Sequence, residues 1–288
     1  MGDARAGSTA DDKCLRKLPL DEPSGRPLHG AHLDLDLRGR ASATEPYVYA
    51  GFIASLDGRI ALDGRAGPPR AVANDRDWRL FMELAMQADV VLSSARYVRE
   101  RSTGLGQGLL PEPADERFRD LIEWRGARGL PERPCVGVLT SSGDLDPEVA
   151  AGLSEDVFVL SGARPPRDVM AGCARMGVDV VVIGADASTD AVEDGGRLEG
   201  GQIVDALTSR GHRVICSMAG PIVLHALAPR LDALFLTVVA RLVGGLSYSS
   251  LLEGPELAVP KSFTLAGAHL DAAGPGRASQ LFLEFRAA

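Results

Sequence analysis

Ser55 and Asp57 follow an apolar run of the chain and carry side chains that can bind a polar ligand or pass a proton to it. The run from Tyr47 to Ala54 predicts a buried strand, and Asp57-Gly58 is a turn signal at its end. In open α/β sheets, ligands bind at the carboxyl ends of the strands. We therefore take Ser55 and Asp57 as candidate site residues. The same spacing also fits a plain Asp-Gly turn that the serine caps, and both interpretations remain open.

Small or polar residues end four further predicted strands, which is the pattern expected around a nucleotide. These segments are Ser93-Ser94, Ser161-Gly162, Gly184 and Ser217–Pro221. In the last of them, Gly220 lets the backbone approach a ligand, and Pro221 suits the first position of a helix, whose free N–H groups can hold an anion. One such turn is better explained without a ligand. Five strand ends of this kind together favour a nucleotide cleft.

Two pairs of arginines follow these strand ends. Arg96 and Arg99 come after Ser94, and Arg164 and Arg167 come after Ser161-Gly162. An arginine fork at a strand end can bind a ribose 2′-phosphate and so select NADP over NAD. Each pair is equally well explained as solvated surface arginines.

Composition and charge exclude several classes of function. The net charge of −8 over 288 residues argues against a general binder of nucleic acid backbones. The longest apolar runs are far shorter than the roughly 20 residues that cross a bilayer, and the first residues do not form a secretory signal. The five histidines are scattered and the four cysteines form no Cys-x-x-Cys pair, so no metal site is expected. Three cysteines lie in apolar segments, which is typical of the reducing cytoplasm.

Strands and helices alternate from Pro46 onward, so we expect an α/β domain over residues 46–288. Alternation implies a mostly parallel sheet with helices on both faces, and two late strands without a helix between them imply an antiparallel hairpin. Residues 1–45 are predicted to be a mostly flexible extension, in which His32–Leu37 could form an edge strand. The strands are predicted at Tyr47–Ala54, Asp89–Leu92, Cys135–Thr140, Val157–Leu160, Val178–Ile183, Val214–Ser217, Ala233–Ala240, Ser262–Leu265 and Leu281–Arg286. Helices are predicted after Asn74 and Pro221 and at Ala114–Arg125, Val169–Met176 and Gln202–Ser209.

Residues 46–61 resemble the opening strand of the pyrimidine reductases of riboflavin biosynthesis. Three later segments are similar to that family's pattern and occur in the same order: Leu84–Ser94, Ser209–Leu224 and Leu231–Gly245. The resemblance covers roughly residues 46–286 and implies a dihydrofolate-reductase-like fold.

The resemblance also implies an activity, an NADPH-dependent reduction of a C=N or C=O bond in a small pyrimidine- or pterin-like substrate. Asp57 would anchor the substrate or relay a proton, with Ser55 beside it, and Asn74 would cap a helix and contact the substrate. The implied cofactor-binding residues are Ser94, Arg96, Ser161, Gly184, Gly220, Pro221 and Ile222. Proteins of this family are commonly homodimers, and the strand Ala233–Ala240 would lie either near such an interface or in the core.

The chain departs from the family pattern at two glycine-rich places. The family has Gly-x-Gly-Thr-Val where this chain has Ser94–Val98, and Glu-Gly-Gly-Pro where this chain has Met218–Pro221. Side chains therefore occupy positions that the family leaves open to the cofactor. A ligand-binding member of the same fold without turnover is the alternative to the enzyme.

Overall fold

A nine-stranded sheet forms the centre of the part of the chain described by the computed structural model, residues 27–42, 44–65, 67–104, 108–183, 198–274 and 276–288. Its order is β10-β11-β8-β1-β7-β3-β4-β5-β6, and β2 pairs separately with β9. The strands are β1 Tyr47–Ser55, β2 Ala61–Leu62, β3 Val90–Ser94, β4 Cys135–Thr140, β5 Val157–Ser161, β6 Asp179–Val182, β7 Val214–Ser217, β8 Ala233–Val239, β9 Tyr248–Ser249, β10 Phe263–Asp271 and β11 Gln280–Ala287.

The seven strands from β8 to β6 in this order pair in parallel, while β11 and β10 are antiparallel. The first strand, β1, is central and pairs with both β7 and β8. Its residues Val48, Tyr49 and Ala50 are buried because helices cover both faces of the sheet. The predicted fold class is confirmed, including the antiparallel C-terminal hairpin.

More helices pack on one face of the sheet than on the other. The helices are α1 Asp75–Ala85, α2 Ala95–Ser102, α3 Arg119–Gly126, α4 Pro147–Ala151, α5 Arg167–Met176, α6 Gly200–Ser209 and α7 Pro221–Leu227. Side chains from α1, α2, α4 and α5 pack in one core cluster, those of α6 and α7 pack in a second, and α3 packs with α1 in a third. The predicted cap of α1 is present, because the side-chain oxygen of Asn74 accepts from the N–H groups of Arg76 and Asp77.

Two helices were not predicted from the sequence, α2 and α4. In α2 the buried residues are Ala95 and Val98, so the apolar periodicity is too short to detect. The predicted helix at 114–125 is wrong at its start, where Glu116–Phe118 forms a 3₁₀ turn before α3. The edge strand β10 extends beyond the predicted Ser262–Leu265. Most of its side chains are exposed, so its second half lacks the run of apolar residues that would indicate a strand.

The segment before β1 packs against α1. The prediction of an edge strand at His32–Leu37 is wrong, because the segment forms two 3₁₀ turns, Leu33–Leu35 and Leu37–Arg40. Three backbone N–H groups of this segment donate hydrogen bonds to buried side chains of α1 and of the turn after it. The Glu83 carboxylate accepts two of these bonds, and the Gln87 amide oxygen accepts the third. Of the extension predicted at residues 1–45, residues 1–26 and 43 lie outside the described residues.

Candidate functional site

Two adjoining cavities open along the carboxyl edge of the parallel strands. The small cavity, about 130 Å³, lies between β1, the chain that follows it and α1, and it includes Asp77, Trp78 and Phe81. The large cavity, about 630 Å³, lies beyond the ends of β3 and β4 and against α7. Ser94, Arg96, Gly220 and Pro221 line both cavities, so the two adjoin in one cleft.

Asp77 is the titratable acid of the small cavity. It lies in the first turn of α1, and its carboxyl group hydrogen-bonds with Thr237 of β8. Burial raises the pKa of Asp77 to about 7, and the Thr237 hydrogen bond opposes this in part. A carboxyl group with this pKa carries a proton in a large fraction of molecules at neutral pH. Asp77 can therefore donate a proton to a ligand in the small cavity.

Sequence reasoning missed Asp77 as a site residue, because an aspartate in the first turn of a helix is explained by the helix dipole alone. A signal was nevertheless present. Asp77 stands four residues before Phe81, so the helix presents both on the face that packs toward β1. An acid on the apolar face of a helix is unusual unless it is paired or functional.

Aromatic side chains form a flat wall of the small cavity. The rings of Trp78 and Phe81 lie with their centroids 5.5 Å apart at an interplanar angle of 25°. Phe52 and Met218 also line the cavity. Planar apolar walls of this kind suit a planar heterocyclic ring, and Asp77 adds one polar group at the same place.

Ser55 and Asp57 bind each other and a neighbouring loop. The Ser55 hydroxyl donates to Asp57 Oδ1 at 2.5 Å and accepts from the N–H of Arg59 at 2.9 Å. The Asp57 carboxylate also accepts from the N–H groups of Val243 at 3.2 Å and Gly244 at 2.7 Å. The hydrogen bond from Ser55, followed by those of the loop, lowers the pKa of Asp57 to about 2.

This geometry favours the structural interpretation of the Ser55–Asp57 pair. Neither residue lines the two cavities, and the Asp57 carboxylate is ionised at neutral pH. The geometry therefore gives no support to the proton-relay role predicted for Asp57. The Asp57 carboxylate instead holds the loop after β8 against the turn after β1 by hydrogen bonds.

Asn74 lines the small cavity, but its amide is already engaged. The oxygen caps α1, and the nitrogen donates to Val72 O at 3.1 Å and to Gln280 Oε1 at 2.9 Å. Contact with a substrate stays a prediction for this residue.

The predicted cofactor residues fall into two groups. Ser94, Arg96, Gly220, Pro221 and Ile222 line the large cavity and are brought together as expected. The Ser161 hydroxyl is buried, donates to the carbonyl of Ala163 and lines neither cavity. Gly184 lies outside the described residues.

The shared residues Ser94 and Arg96 also make contacts within the protein. The Ser94 hydroxyl caps α2 by accepting from the N–H of Tyr97 at 3.4 Å. The Arg96 guanidinium donates to the backbone carbonyls of Gly64 and Arg65. Arg96 thus fixes the chain after β2 at the boundary between the two cavities.

Sequence reasoning did not single out the hydroxyl groups at the end of β4 and directly after it. Thr140, Ser141 and Ser142 line the large cavity together with Arg99. Arg99 is exposed, and its guanidinium donates to the carbonyl of Asp144 at 3.1 Å. One basic group and several hydroxyls are therefore available to a phosphate at this end of the cleft.

Within the described ranges, no group of three or more His, Cys, Asp or Glu side chains is placed to hold a metal ion. No helix of the described chain is both long enough and apolar enough to cross a bilayer.

No protein-family model matches the chain, and no curated protein matches it. The fold is similar to that of a pyrimidine reductase-like protein from Corynebacterium diphtheriae, with 21% identity, a TM-score of 0.61 and coverage of 84% of this chain and 92% of that one. A riboflavin biosynthesis reductase from Saccharomyces cerevisiae has 14% identity and a TM-score of 0.54, over 90% of this chain and 99% of that one.

A bifunctional diaminohydroxyphosphoribosylaminopyrimidine deaminase and 5-amino-6-(5-phosphoribosylamino)uracil reductase from Thermotoga maritima has 17% identity and a TM-score of 0.54. The match covers 85% of this chain and 57% of the bifunctional one. At these identities the comparisons show the fold. The chain has the dihydrofolate-reductase-like fold of the riboflavin-biosynthesis pyrimidine reductases, as its sequence resemblance predicted.

Proposed function

We propose that this protein is an NADPH-dependent reductase of a small heterocyclic substrate, pyrimidine-like or pterin-like, similar to 5-amino-6-(5-phosphoribosylamino)uracil reductase. The observation that carries the proposal is Asp77, an acid with a pKa of about 7 in a small aromatic cavity that opens into a cleft large enough for a dinucleotide. The fold of the structural neighbours, which are reductases by name, supports the same reaction class.

The size of the large cavity supports a nicotinamide dinucleotide as its ligand. Its volume of about 630 Å³ is in the usual range for cofactor pockets. At Gly220 an added Cβ would meet no atom within 4 Å, so the backbone there is open to a ligand. Arg99, Ser141 and Ser142 would bind the phosphate groups, while Pro221 and Ile222 would contact the rest of the cofactor. Bound NADPH would supply the hydride.

The residues of the small cavity hold the substrate and provide the proton. Trp78 and Phe81 pack against its ring. Asp77 holds a proton on its carboxyl group and donates it to the substrate nitrogen or oxygen, which becomes basic as the adjacent carbon gains the hydride. Thr237 fixes the carboxyl group by a hydrogen bond. Hydride and proton together add two hydrogen atoms across the C=N or C=O bond.

The alternative is a protein of the same fold that binds a ligand without turnover. Arg96 favours it, because its guanidinium lines both cavities at their junction and is tied to the backbone of Gly64 and Arg65. If Arg96 stays in this position when ligands bind, it narrows the passage through which a cofactor would reach the substrate.

The proposal also includes where the protein acts and its oligomeric state. The protein is expected to act in the cytoplasm as a homodimer. The buried thiols of Cys135, Cys173 and Cys216 suit a reducing compartment. Light scattering of the purified protein at two concentrations measures the oligomeric state.

Titration of the purified protein with NADPH and separately with NADH tests the proposal first, followed by intrinsic fluorescence and thermal shift. Trp78 lines the cleft, so its emission is expected to respond to binding. Micromolar binding with preference for NADPH supports the reductase. A folded sample that binds neither nucleotide contradicts the reductase and leaves the ligand-binding alternative.

A further inference from the structure

The C-terminal hairpin contacts the start of α1 through a chain of hydrogen-bonded polar side chains, of which Gln280 and Asp271 are buried. Gln280, 2% exposed, exchanges hydrogen bonds with the amide of Asn74: its oxygen accepts at 2.9 Å and its nitrogen donates at 3.2 Å. The Gln280 nitrogen also donates to Asp271 Oδ2 at 2.9 Å. Arg76 and Arg277 both donate to that same carboxylate oxygen at 2.6 Å. The first turn of α1 is thereby joined to the tip of the hairpin.

This chain of contacts ends at the backbone of Asp77. The Asn74 oxygen accepts from the N–H of Asp77 at 3.0 Å, while the Asp77 carboxyl group hydrogen-bonds with Thr237. Thr237 pairs with Phe282 of β11, two residues after Gln280. The backbone and the carboxyl group of Asp77 are therefore both fixed against the same pair of strands.

We propose that Gln280 is a positioning residue for Asp77, which holds the first turn of α1 in register with β8 so that the acid stays in contact with Thr237 and faces the small cavity. This inference rests on the proposed function and deepens it. It assigns to the C-terminal hairpin, which lines neither the small nor the large cavity, a part in the geometry of the acid.

The contacts explain why one side chain can act at this distance. A buried amide whose oxygen and nitrogen are both paired has one favourable orientation, since rotation would leave its own groups and those of Asn74 unsatisfied. Without Gln280, the Asn74 amide loses its buried partner and keeps only Val72 O as an acceptor. It can then turn away from the N–H of Asp77. Among the described residues, Arg76 and Asp271 alone then hold the first turn of α1 to the hairpin, which lets its start shift relative to Thr237.

The substitution Gln280→Met tests this role, because methionine has a similar length and makes no amide hydrogen bond. The measurement is the pH titration of the Asp77 carboxyl carbon by NMR in the full-length, ligand-free protein, with the signal assigned by its loss in Asp77→Asn. The Thr237 hydrogen bond lowers the pKa of Asp77, so its weakening is expected to raise the titration midpoint by about half a pH unit.

Two further variants distinguish a specific effect on the position of Asp77 from a general disturbance of the fold. Leu281→Met changes the neighbouring residue of β11, which points to the opposite face, and is expected to leave the midpoint unchanged. Asn74→Ser keeps a good helix cap but cannot reach Gln280, so it is expected to raise the midpoint as Gln280→Met does. If Gln280→Met does not fold, Asn74→Ser makes the same test.

An upward shift in Gln280→Met and Asn74→Ser, with none in Leu281→Met, supports the positioning role. An unchanged Asp77 midpoint in folded Gln280→Met, or in folded Asn74→Ser where Gln280→Met does not fold, overturns it. Because the titration needs neither cofactor nor turnover, it decides the role of Gln280 even if the protein binds no NADPH, the result that would refute the reductase.

Discussion

Asp57 and Asp77 lie at opposite ends of the segment that connects β1 to α1, and their surroundings move their carboxyl pKa values in opposite directions. Hydrogen bonds from Ser55 and from the loop after β8 lower the pKa of Asp57 to about 2. Burial raises the pKa of Asp77 to about 7. Two carboxyl groups with such different pKa values suit different tasks. We assign loop attachment to Asp57 and proton donation to Asp77.

The substitution Asp57→Asn is expected to lower thermal stability at neutral pH, because the carboxylate bonds to Val243 and Gly244 are weakened. The sign of its pH dependence follows from the lowered pKa. The stabilisation is complete above the unfolded value of 3.8 and is lost as the pH falls toward about 2. Denaturant midpoints measured from neutral pH down to about pH 2 should therefore converge for the two proteins. A constant difference across this range would contradict the assignment.

The substitution Asp77→Asn is expected to have the opposite effect on stability. Burial raises the pKa of Asp77 from 3.8 to about 7, so the wild-type protein loses stability as the pH rises from about 4 to about 7, where the unfolded state is ionised and the folded state still holds the proton. At pH about 8 the variant is expected to be more stable by on the order of 3 kcal/mol, and the difference should vanish below pH about 4. Urea denaturation at both pH values measures it. Equal stability at the higher pH would show that Asp77 ionises normally.

The substitution Arg99→Gln is expected to weaken NADPH binding by about tenfold while NADH binding changes little, because a charged hydrogen bond to the 2′-phosphate is lost. Arg99 lines the large cavity together with Ser141 and Ser142. Arg164→Gln is the matched control, since Arg164 is exposed but lines neither cavity. If Arg164→Gln weakens NADPH binding as much as Arg99→Gln, the phosphate lies elsewhere.

The fold class and the carboxyl-edge position of the cleft could be predicted from the sequence because they follow from local patterns. Apolar runs such as Tyr47–Ala54 end at small or polar residues, and the chain order of strands and helices then fixes the edge at which those ends meet. Ser94, Gly220 and Pro221 do line the cleft. For these residues, position along the chain was sufficient to predict that they line the cleft.

The chemistry of the site could not be predicted in the same way, because it depends on contacts between distant parts of the chain. The pKa of Asp77 is set by burial and by Thr237, which belongs to a strand far along the sequence. The bonds of Asp57 to Val243 and Gly244, and of Asn74 to Gln280, likewise appear only once the sheet is assembled. Sequence reasoning therefore found an acid near the cleft, Asp57, and missed Asp77, whose carboxyl group faces the small cavity.

The most direct test of the central claim is NADPH oxidation by the wild-type protein and by Asp77→Asn, with pterins and aminopyrimidines as substrates, between pH about 5 and 9. We predict that wild-type kcat/KM falls as the pH rises through about 7, where Asp77 loses its proton. We predict that folded Asp77→Asn binds NADPH normally but has kcat reduced at least about 100-fold, without this pH dependence. Full turnover by Asp77→Asn would contradict the account and remove Asp77 from the reaction.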